Sequence, residues 1–252
     1  MEINEGIVVI TGATSGFGEA TARMVAKKWP RALLWLTGRR KDRLDALVKE
    51  LGTARAEGFA FDIRDRQAVE NFARSAGCEK ITVLINNAGL AAGLDLFQDA
   101  KVDDWEQMID TNIKGLLYTT RAILPGMLAR KTGHIVNLGS IAGHTMYQKG
   151  HVYAATKFAV RALTDALRID TLGSGIRVTS IDPGMAETEF SVVRFKGNQE
   201  KAASVYKGMR PLSADDVAEA ILWSLDRPAH VNVQEIILMP TDQATPRDVH
   251  RG

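Results

Sequence analysis

The chain has 252 residues, 45% hydrophobic and 25% charged, ordinary globular proportions that exclude a disordered, collagenous or coiled-coil chain. Lys+Arg 32 against Asp+Glu 30 leaves +2, too balanced for a surface built to bind nucleic acid or an anionic membrane. No apolar run approaches the roughly 18 residues of a membrane span, the lone Cys78 has no disulfide partner in the chain, and the acidic start from Met1 to Glu5 does not resemble a secretory leader, so the expected setting is reducing and cytoplasmic.

In chain order, Val8 to Thr11 is a short β-branched run that reads as a buried strand. A glycine-rich turn follows, then a helix from about Gly16 to Lys28 with Ala20, Met24 and Val25 on one face, ended by Trp29-Pro30. Leu33 to Thr37 predicts a second strand, and Lys41 to Leu51 an amphipathic helix with the apolar stripe Leu44, Leu47, Val48 and Leu51. Gly58 to Asp62 predicts the third strand, with a helix from about Arg66 to Ser75 after it. Ile81 to Ile85 is the fourth strand, and Asp103 to Arg130 predicts one long helix stopped by Gly133. His134 to Leu138 predicts the fifth strand, Val152 to Leu172 a helix ended by Gly173-Ser174-Gly175, and Ile176 to Ile181 the sixth strand. Ser213 caps a helix from Ala214 to Leu225, and Val233 to Leu238 is the seventh strand.

Strands alternating with helices predict a doubly wound α/β fold of the Rossmann type. It forms one domain over residues 1–252, a seven-stranded parallel sheet with helices on both faces. No repeat, low-complexity tract or linker divides it. The stretch from about Met185 to Arg210 carries no clear element; a loop that long in a compact domain is usually functional, and it reads as a lid over a substrate.

Thr11-Gly12-Ala13-Thr14-Ser15-Gly16-Phe17-Gly18 stands where the first strand becomes the first helix. Gly12 permits a tight turn, Gly16 lets the backbone approach a pyrophosphate, and Gly18 lets the helix pack closely. The helix N-terminus offers unpaired N–H groups to that anion, with Thr14, Ser15 and Phe17 beside it. A glycine-rich loop without a ligand is the alternative; the place of this one between first strand and first helix favours a dinucleotide. The second strand ends Thr37-Gly38-Arg39-Arg40, with no carboxylate to bond a free ribose. Guanidinium groups suit a 2′-phosphate, so the expected cofactor is NADP(H) rather than NAD(H). The alternative makes Arg39 and Arg40 solvated starters of the next helix. Asp62, with Ile63 after it, is placed to reach the adenine edge, to cap the next helix, or both.

Tyr153 and Lys157 stand four residues apart on a predicted helix, hence on one face. Ser140 lies just past the fifth strand, at the carboxyl edge of the sheet. A phenol with a pKa near 10 is a poor base at neutral pH. A lysine ammonium and an oxidised nicotinamide would lower that pKa, letting Tyr153 take an alcohol proton as hydride leaves or return it in reduction. The Ser140 hydroxyl is suited to bond the substrate oxygen. A helix-surface pair is the ordinary reading of such a Tyr and Lys, and the neighbouring loop and Ser140 favour the catalytic one.

Together these motifs resemble the short-chain dehydrogenase/reductase family over nearly the whole chain: Thr11 to Gly18, Asn86-Asn87-Ala88-Gly89, Asn112, Ser140, Tyr153 with Lys157, and Pro183-Gly184 followed by Thr188. The resemblance implies a catalytic tetrad of Asn112, Ser140, Tyr153 and Lys157, the asparagine holding a water that links the lysine to a proton relay. It also implies that Lys157 binds the nicotinamide ribose, Asn87 lines the cofactor site, and Thr188 contacts the carboxamide near Pro183 and Gly184. The segments Thr188 to Ser191, Val193 to Gly197, Pro228 to Asn232 and Met239-Pro240 are similar to bacterial NADP-dependent 3-hydroxy acid dehydrogenases. Those are typically homotetramers that oxidise L-serine, L-allo-threonine and related acids of the 3-hydroxypropionate type. Reductases of sulfoacetaldehyde are similar over the same stretches. Met146, where proline is expected, and Gln148-Lys149, where small residues are usual, depart from that pattern beside the active site and bear on the substrate rather than the reaction type.

A 3-hydroxy acid needs a cation for its carboxylate once water is excluded. Arg194 is the first choice and Lys149 the second; the alternative for each is a solvated surface charge. Phe190, Phe195 and Met185 would wall the site or simply pack the lid shut. His134, His144, His151, His230 and His250 are scattered, with no pair at ligand spacing beside a carboxylate, so no catalytic metal is expected. A non-catalytic NADP-binding sensor on this fold would have no need of Ser140, Tyr153 and Lys157. The expected partner is a small-molecule substrate, with neither nucleic acid nor membrane.

Overall fold

The computed structural model describes residues 3–75 and 77–252; Met1 and Glu2 of the acidic start and the side chain of Cys78 lie outside the described residues. Seven parallel strands make one sheet: β1 (Ile7–Thr11), β2 (Leu33–Gly38), β3 (Ala56–Ala60), β4 (Ile81–Asn86), β5 (Gly133–Leu138), β6 (Ile176–Pro183) and β7 (Glu235–Leu238), in the spatial order β3-β2-β1-β4-β5-β6-β7. Alternate residues of a strand face opposite sides, so both sides of β1 are apolar and buried. Val8 and Ile10 pack with α1 (Gly16–Lys28), α2 (Lys41–Leu51) and α9 (Ala214–Leu225) through Val25, Leu44 and Ile221. Ile7 and Val9 face Phe72 of α3 (Arg66–Ser75) and Ile123 and Met127 of α5 (Leu116–Arg130). The strand order reverses between β1 and β4, and the loops leaving their carboxyl ends part to form the crevice in which such folds bind ligands.

Several boundaries move for identifiable reasons. The third strand is Ala56–Ala60, not Gly58 to Asp62, because its pairing with β2 ends at Gly38 opposite Ala60. The long helix is not uniform. α4 (Val102–Ile109) passes through a π-helical turn, Asp110–Gly115, before α5 begins. Such turns insert an extra residue and recur at functional sites; this one carries Asn112. Gly133 does not stop the helix. Lys131 does, in a left-handed conformation at φ 54, while Gly133 opens β5 under Met127, whose sulfur would lie 2.6 Å from a Cβ there. The stretch expected to lack elements holds two short helices, α7 (Glu189–Arg194) and α8 (Gln199–Ser204), capped by the side chains of Thr188 and Asn198. Six residues are too few for a helical period to stand out.

The middle of the sheet is tied to its helices by a buried polar ladder. Asn86 Nδ2 donates to Thr120 Oγ1 and Asn137 Oδ1, both at 2.9 Å, and Asn137 Nδ2 donates to Thr164 Oγ1 at 2.9 Å. Thr119 Oγ1 donates to Asn86 Oδ1 at 2.7 Å. The ladder joins β4 and β5 to α5 and to α6 (His151–Asp170). Asn86→Ala strips partners from several buried groups at once, and we expect it to lower unfolding free energy by about 3 kcal/mol in urea titrations with an unchanged slope.

Candidate active site

A cavity of about 540 Å³ opens at the carboxyl edge of the sheet, a size suited to a small-molecule ligand. The glycine turn forms one wall, with Gly12 at φ +67 and Gly16 at φ +54. A Cβ on Gly18 would come within 2.4 Å of Asn87 Nδ2. That amide donates to Thr11 O at 2.8 Å and Gly12 O at 3.0 Å, and the Asn87 backbone N–H donates to Thr11 Oγ1 at 3.0 Å. Ser15, the N-cap of α1, makes no side-chain cap bond to the first N–H groups of the helix. This cradle, with glycine at Gly12, Gly16 and Gly18 and the N-terminus of α1 facing it, fits a dinucleotide pyrophosphate.

The two arginines after β2 divide their tasks. Arg40 spends all three nitrogens within the protein. It donates to Thr14 Oγ1 at 3.1 and 3.2 Å, Thr14 O at 3.2 Å and Ser15 Oγ at 2.8 Å, and its Nη1 pairs with Glu189 Oε2 at 2.8 Å. Arg43 Nη1 takes the other oxygen of Glu189 at 2.5 Å. Burial pushes the Glu189 carboxyl up, but Arg43 and Arg40 outweigh it and hold the group below the usual carboxylate range. Arg39 is exposed and stands 3.7 Å from Asp62, beyond hydrogen-bond distance. Asp62 lines the cavity beside Ile63. It does not cap α3: Asp65 does, accepting from the N–H groups of Gln67 and Ala68, while Asp62 accepts a fork from Arg64. Burial opposes ionisation of Asp62, and the Arg64 fork nonetheless holds it below its ordinary range.

Ser140, Tyr153 and Lys157 meet in the same cavity. Ser140 Oγ accepts from Ala142 N–H at 3.1 Å. Lys157 is buried; its Nζ donates to Leu138 O at 2.7 Å and lies 5.9 Å from the centre of the Tyr153 ring. Burial lowers its pKa to about 8, against the pull of Asp182. The expected acidification of Tyr153 is not what the protein's own groups produce. Burial, then Tyr147, raise the phenol above its ordinary range, and a hydrogen bond from Ser140 and the charge of Arg194 offset only part of that. Asn112 is buried, and its amide is taken up by the backbone of Leu90, at 2.9 Å in both directions, and by Thr156 Oγ1 at 3.0 Å. Pro183, Gly184 and Thr188 line the cavity, and a Cβ on Gly16 would touch the Thr188 side chain at 3.4 Å.

On the far side of Tyr153, the Arg194 guanidinium sits between two rings, 5.6 Å from Tyr153 and 5.7 Å from Tyr147. Its Nη2 donates to Tyr147 Oη at 2.9 Å and its Nε to Gly93 O at 3.2 Å. Phe190 packs edge-on against Tyr153, and Met185 and Phe195 also line the cavity. Lys149 faces a small side pocket behind Tyr153 and Arg194 instead of the main cavity. Sequence reasoning missed Tyr147, Arg43, Glu189 and Gln243. Gln243 is buried and accepts from Met185 N–H at 2.7 Å.

The fold brings one histidine against carboxylates that stand far from it in the chain. His144 does have carboxylates beside it: Nε2 is 2.7 Å from Asp182 Oδ2 and 3.5 Å from Glu235 Oε1. Ser180 donates to the other oxygen of Asp182 at 2.6 Å, and Arg161 Nε lies 3.3 Å from Glu235. Burial, then Asp182, raise the Glu235 carboxyl above its usual range. The three are far apart in the chain, so no local spacing displays them.

A parallel sheet, a glycine turn at its switch point and a Ser–Tyr–Lys group on its carboxyl edge define a class, and a sequence model of the short chain dehydrogenases matches residues 6–199. The chain belongs to the short-chain dehydrogenase family. It is 48% identical over 250 residues to an NADP-dependent 3-hydroxy acid dehydrogenase, YdfG, of Salmonella typhi, covering 98% of this chain and 100% of that one. It is 47% identical over 241 residues to a serine 3-dehydrogenase of Agrobacterium fabrum, covering 95% of each. The closed form of a serine dehydrogenase complexed with NADP+ superposes with a TM-score of 0.92 at 46% identity, covering 98% of this chain and 100% of that one. Serine dehydrogenase from Escherichia coli gives 0.82 at 42% identity, covering 94% and 99%. Among the described residues, no helix is long and apolar enough to cross a membrane.

Lys157 yields a stability prediction. Its folded pKa of about 8 lies below the ordinary 10.5, so between those values the unfolded chain binds more protons. The folded state therefore bears the full penalty below pH 8 and recovers it as pH rises towards 10.5. Relative to Lys157→Met, the wild-type protein should gain roughly 2 kcal/mol between about pH 7 and about pH 10, read from urea midpoints.

Proposed function

We propose that this chain is an NADP(H)-dependent dehydrogenase that interconverts a small 3-hydroxy acid, of the serine, allo-threonine or 3-hydroxypropionate type, with its 3-oxo form. The observation that carries this reading is the Arg194 guanidinium held 5.6 Å from the ring of Tyr153. It sets a cation for a carboxylate beside the residue that would exchange the proton, and the names of the close relatives support the same substrate class.

One domain over residues 1–252 performs this work, with residues 185–210 as the lid. The glycine turn and Asn87 hold the pyrophosphate. Arg39, exposed at the cavity edge, takes the 2′-phosphate beside Ser15, while Arg40 holds the turn in shape. Lys157 binds the nicotinamide ribose and Thr188 the carboxamide. The nicotinamide, when bound, supplies or accepts the hydride, and its oxidised form adds positive charge to that of Arg194 beside Tyr153. Ser140 donates to the substrate oxygen. Tyr153 takes the hydroxyl proton in oxidation and returns it in reduction. Lys157, near pKa 8, passes protons on at neutral pH, and Asn112 keeps the wall around it in place. A Cβ on Gly89 would lie 3.3 Å from Asn112 Oδ1 and 3.7 Å from Lys157 Nζ, which shows how closely the two groups share that wall. The reading includes a cytoplasmic homotetramer, supported by the exposed Phe158, Ile169 and Leu172 on or just beyond α6 and Leu117 and Leu128 on α5.

Tyr153→Phe should lower turnover by about 10²-fold or more, the usual weight of a general acid–base group. NADPH binding, followed by nucleotide fluorescence, should fall far less; parallel losses would overturn the assignment. Arg39→Asp should move the NADPH to NADH preference by roughly 10- to 100-fold towards NADH, as lost charged hydrogen bonds predict. An unchanged ratio of kcat/KM values would remove Arg39 from the phosphate site.

A further inference from the structure

Glu189 and Arg194 are the first and last residues of α7, and each ends in a different half of the cavity. Six helical residues span about 9 Å. At the near end, Glu189 is gripped by Arg40 and Arg43, and Arg40 in turn is bonded to Thr14 and Ser15 of the glycine turn. At the far end, the backbone of Arg194 accepts from Gly93 N–H at 3.1 Å, and Lys196 Nζ pairs with the buried Asp104 at 2.8 Å. Ser191 is bonded to Tyr206, whose hydroxyl donates to Ala186 O at 2.7 Å. A helix this short has little stability of its own, so its position and its rotation about its axis are set by these ties.

We infer that Glu189 is a positioning residue for substrate recognition: through the helix it starts, its grip on Arg40 and Arg43 sets the orientation of Arg194 over Tyr153. This rests on the reading that Arg194 receives the substrate carboxylate. Glu189 touches neither Tyr153 nor Arg194. Its effect is transmitted through α7, which makes it selective for substrates that carry the anion. The same chain of bonds runs from Ser15 through Arg40 and Glu189 to Arg194, so the shape of the cofactor turn and the aim of the substrate arm are mechanically one.

The test compares 3-hydroxypropionate with its methyl ester, which removes the charge and adds one methyl group, at saturating NADP+. Four proteins are measured: wild type, Arg194→Ala, Glu189→Gln and the double variant. Arg194→Ala should collapse the acid-to-ester ratio of kcat/KM. Glu189→Gln should lower the same ratio about fivefold, the scale of a half-exposed ion pair, with the change in KM for the acid rather than in kcat. The double variant should match Arg194→Ala alone, since the strut has nothing left to aim. Arg43→Gln, which removes one of the two grips on Glu189, should lower the same ratio in the same direction by a smaller factor, and thermal melts verify that each variant folds. If Glu189→Gln harms acid and ester equally, or adds its full effect to Arg194→Ala, the strut is wrong. If Arg194→Ala itself leaves the ratio untouched, the carboxylate reading of Arg194 is wrong and the strut falls with it.

Discussion

The amide of Asn87 closes the end of β4 against the turn that leaves β1. Two carbonyls of that turn, Thr11 and Gly12, accept from one side-chain nitrogen, and the bare Cα of Gly18 makes room for it. Buried carbonyls need donors, and here they find one on the neighbouring strand at the point where the sheet reverses order. The start of α1, the approach to its N–H groups and the entrance to the cavity all follow from that closure.

Beyond the turn, the site is organised by burial as much as by charge. Tyr153 and Lys157 are both taken from water, and both are thereby pushed towards their neutral forms. The phenol is kept protonated and the amine is kept ready to lose its proton. A pair prepared in this way is an acid in waiting, and becomes a base when positive charge enters beside it. Arg194 already leans in that direction.

Local chemistry was legible in the chain, and long-range chemistry was not. Gly12, Gly16 and Gly18 lie close enough in sequence to report one turn, and Tyr153 and Lys157 report one helix face. Glu189 and Arg43 look like ordinary surface charges until the fold joins them across the cavity mouth. His144, Asp182 and Glu235 come from a short turn after β5 and from two adjacent strands. The displaced third strand reflects pairing with β2, which no residue of that segment announces. Around Tyr153, proximity to a lysine can be counted along a helix, whereas loss of water, which raises the phenol in the protein alone, depends on everything packed above it.

The π-helical turn at Asp110–Gly115 has a further consequence. Each residue of an ordinary helix advances the chain by about 100°, so one surplus residue would normally rotate everything after it out of phase. Here the widened turn absorbs that surplus, leaving α4 and α5 each with its own buried stripe and Asn112 aimed at Leu90. Deleting a single residue from it would produce a smoother cylinder and a blunter tool: regularity has been given up at one point so that two spans of helix can keep separate appointments.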